Sequence, residues 1–399
     1  MTCPQKPSAD GVEFSYIEEV DCGTTPDNPE FKKIGITGET LSRNVSNTES
    51  SEIYADMNAR DTVQTGVEAS GGVSIEWRIN ALKAFAVGGI RGGSAVVIDA
   101  TDNFGVDATD QAAVALSATA ATNNFAGALV GQSIRLSGFA EAGNNGIVRV
   151  VSVTDDDNIV VAPVEGQTMA TESGSGAAVY AENYVNGTTP KSFTLQKVFR
   201  DMATPTFFRF EGQQVGTFGF SFGAQSIATG EFSFLGLSDS ESEAELTGAT
   251  YLAASSDSIL NTVDSIGTIY SDGVAFPYSV MSMNLNIDNG ARGQTAIGTA
   301  GFVGIGKGEM NVTGDIEVYF ESLAFYQDFK NQKHVSIEFV LTDTEGNALA
   351  VSLPNVKYTE LPVNATGKDS DVMAAGSFKA HYDESIGGTI QLTWLNKVA

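Results

Sequence analysis

Histidine, cysteine and tryptophan are nearly absent, with two of each among 399 residues. His334 and His381 both lie in strand-like sequence, and neither GxSxG nor HExxH occurs. An enzyme built here would have to work through carboxylates alone, and no carboxylate pair stands out. The expectation is a chain that is not an enzyme and carries no cofactor. Cys3 and Cys22 fall in the N-terminal stretch without CxxC spacing or clustered histidine, which argues against a metal site. Two free thiols is the default for them, and whether they pair stays open. No apolar run reaches the ~18–20 residues of a membrane span, and MTCPQKPSADGVEF has no apolar core of the kind a signal peptide needs. An outer-membrane barrel is disfavoured for the same reason, and also because repeated ~10-residue strands with aromatic girdles are not visible. Basic residues are scarce too: 22 against 49 acidic, a net charge of −27. B-DNA carries about one negative charge per ~1.7 Å of axis, so the average surface should repel it. Such acidity suits either simple solubility or a surface that sits beside nucleic acid without sticking to it.

What is plentiful is glycine, 43 residues, together with valine, phenylalanine, threonine and serine in alternating runs. That composition predicts an all-β chain with a few short helices and many turns. The length allows two or three domains with sizeable cores.

The organising stretch is Asn284–Phe329. It opens with an alternating strand, passes through a glycine-rich loop and re-enters a second strand. There Ile316, Val318 and Phe320 share one face and Asp315, Glu317 and Tyr319 the other. A helical stripe of Leu323, Phe325, Tyr326 and Phe329 follows. Much earlier, SGGVSIEW at Ser70–Trp77 matches TGDIEVYF at Thr313–Phe320 in glycine position, alternation and terminal aromatic. Both follow a long polar loop and precede a short Leu/Phe segment. SFTLQKVFRD from Ser192 resembles VSIEFVLTD from Val335. FFRFEGQQVGTFGFSFGAQSIATGEFSFLG has the layout of LAVSLPNVKYTELPV with the later GSFKAHYD, its alternating phenylalanines predicting a hairpin with one aromatic face. The pattern predicts an internal duplication.

The predicted organisation is therefore an arm over 1–30, a first copy over 31–91 and 187–236, a small β domain inserted at 92–186, an acidic linker over 237–278 and a second copy over 279–399. The insertion, with its GNNG and Asp-rich turns, suits a surface loop that tolerates grafting.

Two stretches mimic ligand motifs. Gly301–Gly308 nearly spells a P-loop, but glycine replaces the hydroxyl residue and a strand follows where a helix is needed. Asp155-Asp156-Asp157-Asn158 lacks the glycine and distant glutamate of an EF-hand loop and reads as a polar turn.

With these features assembled, the chain resembles the tail tube proteins (major tail proteins) of long-tailed, non-contractile bacteriophages. The resemblance rests on FKKIGITGETL, EIYADMNARDTVQTG and SGGVSIEW in one half, and on NLNIDNGARGQTAIGT, GEMNVTGDIEVYF, LPNVKYTE and KDSDVMAAGSFKAHYD in the other. It covers the whole chain except the insertion and the acidic linker. It implies a structural virion protein whose rings stack into a hollow tube for genome delivery, assembled in the host cytoplasm. Its partners would be further copies of itself, the tail terminator, tape measure and distal tail proteins, and DNA passing without tight binding; no membrane is involved. Two tube-like copies per chain would let a trimer mimic sixfold symmetry, an arrangement favoured over a hexamer. Each copy would be an open-barrel or β-sandwich unit, with the 92–186 insertion outside the tube.

A ring barrel of about 24 strands spaced ~4.8 Å and tilted ~40° has a circumference of roughly 150 Å and a backbone diameter near ~48 Å. That leaves room for a duplex. Ser74, Glu76, Asp315 and Glu317 are expected on its inner wall, with Val73, Ile75, Trp77, Ile316, Val318 and Phe320 facing the core. A slip of one residue would reverse this. The long polar loops Ser42–Gly66, including Arg60, and Asp288–Gly308, including Gly298 and Gly306, are expected to make ring-to-ring contacts. The alternative from a different class is a secreted or surface β-sandwich adhesin or glycan-binding protein, which would stay monomeric or form small closed particles.

Overall fold

Alternating apolar residues along most strands leave each sheet with one dry face and one wet face, and the chain solves this with two stacked layers. The computed structural model describes residues 6–120, 122–164, 166–365 and 367–397. In chain order the first part has β1 (Val12–Glu18), β2 (Glu30–Lys33), β3 (Gly38–Glu39), β4 (Ser42–Glu49), β5 (Thr62–Glu76) and α1 (Lys83–Gly89). The next ninety residues form β6 (Val96–Asp102), β7 (Phe104–Asp107), β8 (Val114–Ala118), β9 (Ser133–Ser137), β10 (Gly146–Asp155), β11 (Asn158–Pro163), β12 (Glu172–Ser173) and β13 (Ala177–Val185). Then come β14 (Phe193–Phe199), β15 (Thr206–Gly223), β16 (Thr229–Gly236), β17 (Ser238–Ser242), β18 (Thr250–Leu252), β19 (Tyr270–Ser271) and β20 (Val274–Ala275). The last part holds β21 (Val280–Asp288), β22 (Arg292–Gln294), β23 (Gly304–Gly306), β24 (Asn311–Tyr319), α2 (Leu323–Lys330), β25 (His334–Thr342), β26 (Ala348–Glu360), β27 (Val363–Asn364), β28 (Met373–Ala380) and β29 (Gln391–Leu395).

One antiparallel sheet runs across the molecule in the order β4, β5, β16, β15, β21, β24, β28, and then the paired run β26–β27. Its two halves are built alike. Ser42↔Ser70 on β4–β5 corresponds to Asn286↔Thr313 on β21–β24. Glu76↔Thr229 on β5–β16 corresponds to Tyr319↔Met373 on β24–β28. The irregularities recur as well: a register shift separates Val215 from Thr217 on β15 and Tyr358 from Glu360 on β26. Another separates Phe193 from Leu195 on β14 and Val335 from Ile337 on β25. A bulge is an extra residue that bends a strand, and its recurrence at matched positions turns β15 and β26 from one layer into the other.

The second layer behind the first half is β17, the start of β15, β14, β1, β2 and β18. Behind the second half it is β25, the start of β26, β29 and β13. The space between the layers is filled by one continuous apolar cluster that includes residues of both halves. Trp77 stacks on Phe220 with ring centroids 4.1 Å apart, and its indole N–H donates to the Gly219 carbonyl at 3.2 Å. Helix α1 plugs the first half through Phe85, whose ring meets Tyr16, Phe193, Phe232 and Phe234. Phe325 of α2 does the same against Phe276, Tyr278 and Tyr358.

Strands β6–β13 wrap a second apolar core of their own, and this core also takes in Val340, Ala348, Ala350 and Leu395 from the outer layer of the second half. The insertion is thus seated on the layer away from the long sheet. Strand β13 joins it by pairing with β29, and Arg149 bonds Glu338 across the joint.

Three stretches differ from the sequence-based expectation. The arm contributes β1, a full strand paired along β14. The acidic stretch 237–278 is woven into the sheets, with β17 on β15, β18 parallel to β2 and β19 on β25. The polar stretch Ser42–Gly66 is largely a hairpin of β4 and β5. In the first two, pairing comes from distant residues that local pattern does not reveal; in the third the outer half of the hairpin is exposed on both faces and does not alternate.

Candidate assembly surface

The long sheet presents its dry face to the core and its other face to solvent. On the dry face Val73, Ile75 and Trp77, and Ile316 and Val318, are buried, while Phe320 is half-buried. On the open face Asp315 is exposed and Ser74, Glu76 and Glu317 are half-exposed. The same alternation adds Glu68, Glu231 and Asp288, residues that local sequence matching passed over. With exposed Glu360, opposite Ser377 on the outermost strand, they make seven carboxylates, and against them the open face carries two lysines, Lys357 and Lys379, which are cross-strand partners at one end of the sheet.

Apart from the cross-strand pair Tyr319 and Met373, the rest of this face is short and neutral, and its polar groups are satisfied largely by one another. Ser377 donates to Asp315 at 2.6 Å, Ser221 to Asn284 at 2.7 Å and Ser282 to Glu317 at 3.4 Å, while Thr217 and Ser233 hydroxyls meet at 2.6 Å. A shallow hollow of about 580 Å³ lined by Ser74, Thr217, Ser221, Thr229, Glu231 and Asn284 runs along it. A wall with an excess of negative charge, its two lysines confined to one end, offers a nucleic acid few counterion-releasing contacts.

Among the described residues both lateral edges of the sheet are unpaired. At one, β4 is exposed at every residue, from Ser42 to Glu49. At the other, Thr359, Glu360, Pro362 and Asn364 are exposed while Leu361 packs inward. An open edge invites another chain to pair with it. At the β4 edge the invitation is partly masked. The Leu41 N–H donates to Glu39 Oε2 at 2.9 Å, and Lys197 Nζ donates to the Leu41 carbonyl at 2.8 Å while bridging both Glu39 oxygens at 2.9 and 3.2 Å.

The strand ends are different again. From one end the β4–β5 hairpin projects, its tip at 51–60 fully exposed with Ile53 and Met57 at 98% and 95% of their free area. Arg60 lies 4.0 Å from the Tyr54 ring centroid and pairs with Asp56 at 2.6 Å, which stiffens the tip. Beside it the segment after Asp288 folds into the β22–β23 hairpin, with Gly306 buried opposite Arg292 and Gly298 exposed at φ +93°. This segment leans on the first half, because the Val67 N–H donates to the Ala300 carbonyl at 2.8 Å near Gly66. The opposite end carries exposed Ile227, Val263, Met281 and Leu323.

The motifs that mimic ligand sites resolve simply. Residues 304–306 are a strand leading into another strand. Asp155 closes the β10–β11 turn by accepting from the Asp157 N–H at 2.9 Å and the Asn158 amide at 2.8 Å. Among the described residues no group of three histidines, cysteines or acids is placed to hold a metal ion, and no helix is long and apolar enough to cross a membrane. Cys22 is exposed with a contact to Gln214 at 3.8 Å, while Cys3 and any pairing with it lie outside the described residues.

A sheet with a dry back, a polar front and two unmatched edges defines a subunit made for assembly with its like. Over residues 10–381 the chain matches the family model of the phage tail tube protein, and the chain belongs to that family. No curated protein matches the chain. Membership makes the chain a structural component of the virion that self-assembles into a tube.

Proposed function

We propose that the chain is the ring subunit of a long-tailed phage's tail tube, with the open face of the long sheet forming the inner wall. The observation that carries this is a single eight-stranded sheet, β4 to β26–β27, whose halves repeat each other and whose two edges are unfilled. Each half is one tube-like copy, so three chains supply about 24 strands and a bore near ~48 Å. A trimer with pseudo-sixfold symmetry follows, with the insertion on the outside. Ser74, Glu76, Asp315 and Glu317, joined by Glu68, Glu231 and Asp288, line the bore and let DNA slide.

Rings stack head to tail. The hairpin tip around Arg60 and the segment containing Gly298 and Gly306 meet the apolar end of the next ring near Leu323 and Met281. A heterologous contact of this kind does not close and builds a filament. The tube would then take the terminator, tape measure and distal tail proteins as neighbours.

Negative-stain imaging of the purified chain beside a variant with residues 52–59 replaced by a short turn tests this. The tip makes its bonds within itself, so the variant keeps its fold. Threefold rings that stack for the parent and remain single for the variant are expected. Compact single particles from the parent sink the proposal, and stacked tubes from the variant sink the role of the tip.

A further inference from the structure

The joint between the two halves is a worked example of how one copy meets the next, and it fixes the register of the joint between chains. Inside the chain β15 pairs with β21: Phe218 lies opposite Ile287, Phe220 opposite Leu285 and Ser221 opposite Asn284. The Asn289 N–H donates to the Gly216 carbonyl at 3.0 Å and the Ala224 N–H to the Met281 carbonyl at 2.9 Å. Even-numbered residues of β15 therefore carry the hydrogen bonds of this seam.

The matched pairings transfer these positions to the free edges. Phe232 on β16 and Gly376 on β28 hold the same place, and Phe218 beside the first becomes Leu361, whose Cδ1 lies 3.0 Å from where a Gly376 Cβ would be. Phe220 becomes Val363, which pairs with Ala374, and Ser221 becomes Asn364. On the other edge Leu285 becomes Leu41, Asn284 becomes Thr40 and Ile287 becomes Arg43, because β3 and β4 keep one register along β5.

Hydrogen-bond direction agrees at both edges. The Ala375 N–H donates to the Pro362 carbonyl at 3.2 Å, so Pro362 faces β28 and Leu361 and Val363 face outward. The missing N–H of Pro362 therefore leaves no gap in the outer edge. The Thr40 N–H donates to the Gly72 carbonyl at 2.9 Å, so Leu41 and Arg43 face outward as well. The groups that would bond across a seam are the ones pointing away from the chain at both edges.

We propose that a second copy of this chain lays residues 39–45 antiparallel along residues 359–365, with Leu41 opposite Val363, Arg43 opposite Leu361 and Thr40 opposite Asn364. The inference rests on the ring reading and adds the partner strands and their register. It has a cost built in. An N–H makes one good hydrogen bond, so closing the seam requires Glu39 to release the Leu41 N–H, whereas Lys197 can keep the carbonyl's second lone pair.

Cross-linking tests it. In a background with Cys3→Ser and Cys22→Ser, the pair Thr40→Cys with Asn364→Cys occupies a non-hydrogen-bonded position, where Cα atoms lie about 4.5 Å apart and a disulfide fits. Ser42→Cys with Pro362→Cys is a second in-register pair that guards against a misfolded variant. Thr40→Cys with Glu360→Cys is the off-register control. After mild oxidation of assembled rings, a non-reducing denaturing gel should show covalent multimers up to the whole ring for both in-register pairs and monomer for the control. Equal cross-linking of the control, or intact rings in which neither in-register pair links, overturns the register and leaves the tube reading standing. Failure of the cysteine-free parent to form any ring overturns both.

Discussion

The seam inside this molecule and the one proposed between its copies occupy equivalent positions but differ in chemistry. Where β15 meets β21 within the chain, Phe339 packs on Phe222 and Phe220 at centroid distances of 5.7 and 6.4 Å, and Asn289 is buried with its amide donating to the Gly89 and Val215 carbonyls at 2.9 and 2.7 Å. At the β4 edge the position matching Phe339 is Lys197, tied to Glu39 and to the Leu41 backbone. The first seam forms once, as the chain folds, and can be dry. In the proposed ring the second stays wet in the free subunit and closes only on a partner. A long flat apolar edge would pair with any strand it met, and placing charge there is how natural sheets avoid it. A phenylalanine at one of the matched positions and a lysine at the other thus separate a seam that forms on folding from an edge left open in the subunit.

The largest effect should come from moving the edge's chemistry into the interior. Phe339 is 1% exposed, so Phe339→Lys buries an ammonium among aromatic rings with no acid opposite it. A loss of about 4 kcal/mol in chemical denaturation is expected, from the removed ring and the uncompensated charge together. A loss under about 1 kcal/mol would mean that the inner seam is not the dry joint described and that the contrast between the seams is false.

How far this was readable from sequence depends on what sets each strand. In β24 and β5 one face is core and the other solvent, so period-two alternation revealed both strands, their faces and their likeness. The short helices were visible for the same reason, through the apolar spacing of Phe325 and Phe329. The hairpin of β4 and β5 was hidden because its outer half is wet on both faces, and nothing alternates when nothing is buried. The strands β17 to β20 were hidden because each is short and takes its partner from far along the chain. Glu231 could have been found, since it sits one place from Phe232 in an alternating run, but Lys197 could not. Its role depends on Glu39 and Leu41 being beside it, more than 150 residues away in sequence.

A third joint, where strand β13 meets β29 of the second half and α1 of the first, sharpens the comparison because it is polar yet internal to the chain. Glu182 on β13 sits opposite Trp394 and bonds Lys83. Burial pushes its carboxyl up, but the bonds from Lys83 and from the Tyr184 hydroxyl at 2.8 Å outweigh that and hold it below its ordinary value of 4.5. The folded form therefore binds the proton less readily than the unfolded chain. The stability this contributes is full above about pH 4.5, and it is lost as the pH falls through the depressed folded value. Glu182→Gln should cost about 1–2 kcal/mol at neutral pH and flatten the acid limb of Tm against pH. An unchanged acid limb would place the acid sensitivity elsewhere.

The smallest change in stability should accompany the most visible change in behaviour. The Glu39 and Lys197 side chains keep 18% and 14% of their free area, so the pair is partly screened and Glu39→Ala should cost only about 1 kcal/mol. The same substitution frees the Leu41 N–H in advance, removing the one bond that must break before a second copy can pair with the edge. Light scattering on freshly diluted subunits should therefore show a shorter lag before rings and tubes appear, although the subunit itself melts slightly earlier. The two readouts move in opposite directions only if Glu39 guards the edge. A destabilised variant that also assembles more slowly would make the carboxylate an ordinary structural partner, and the contrast between a glued seam and a guarded one would lose its second half.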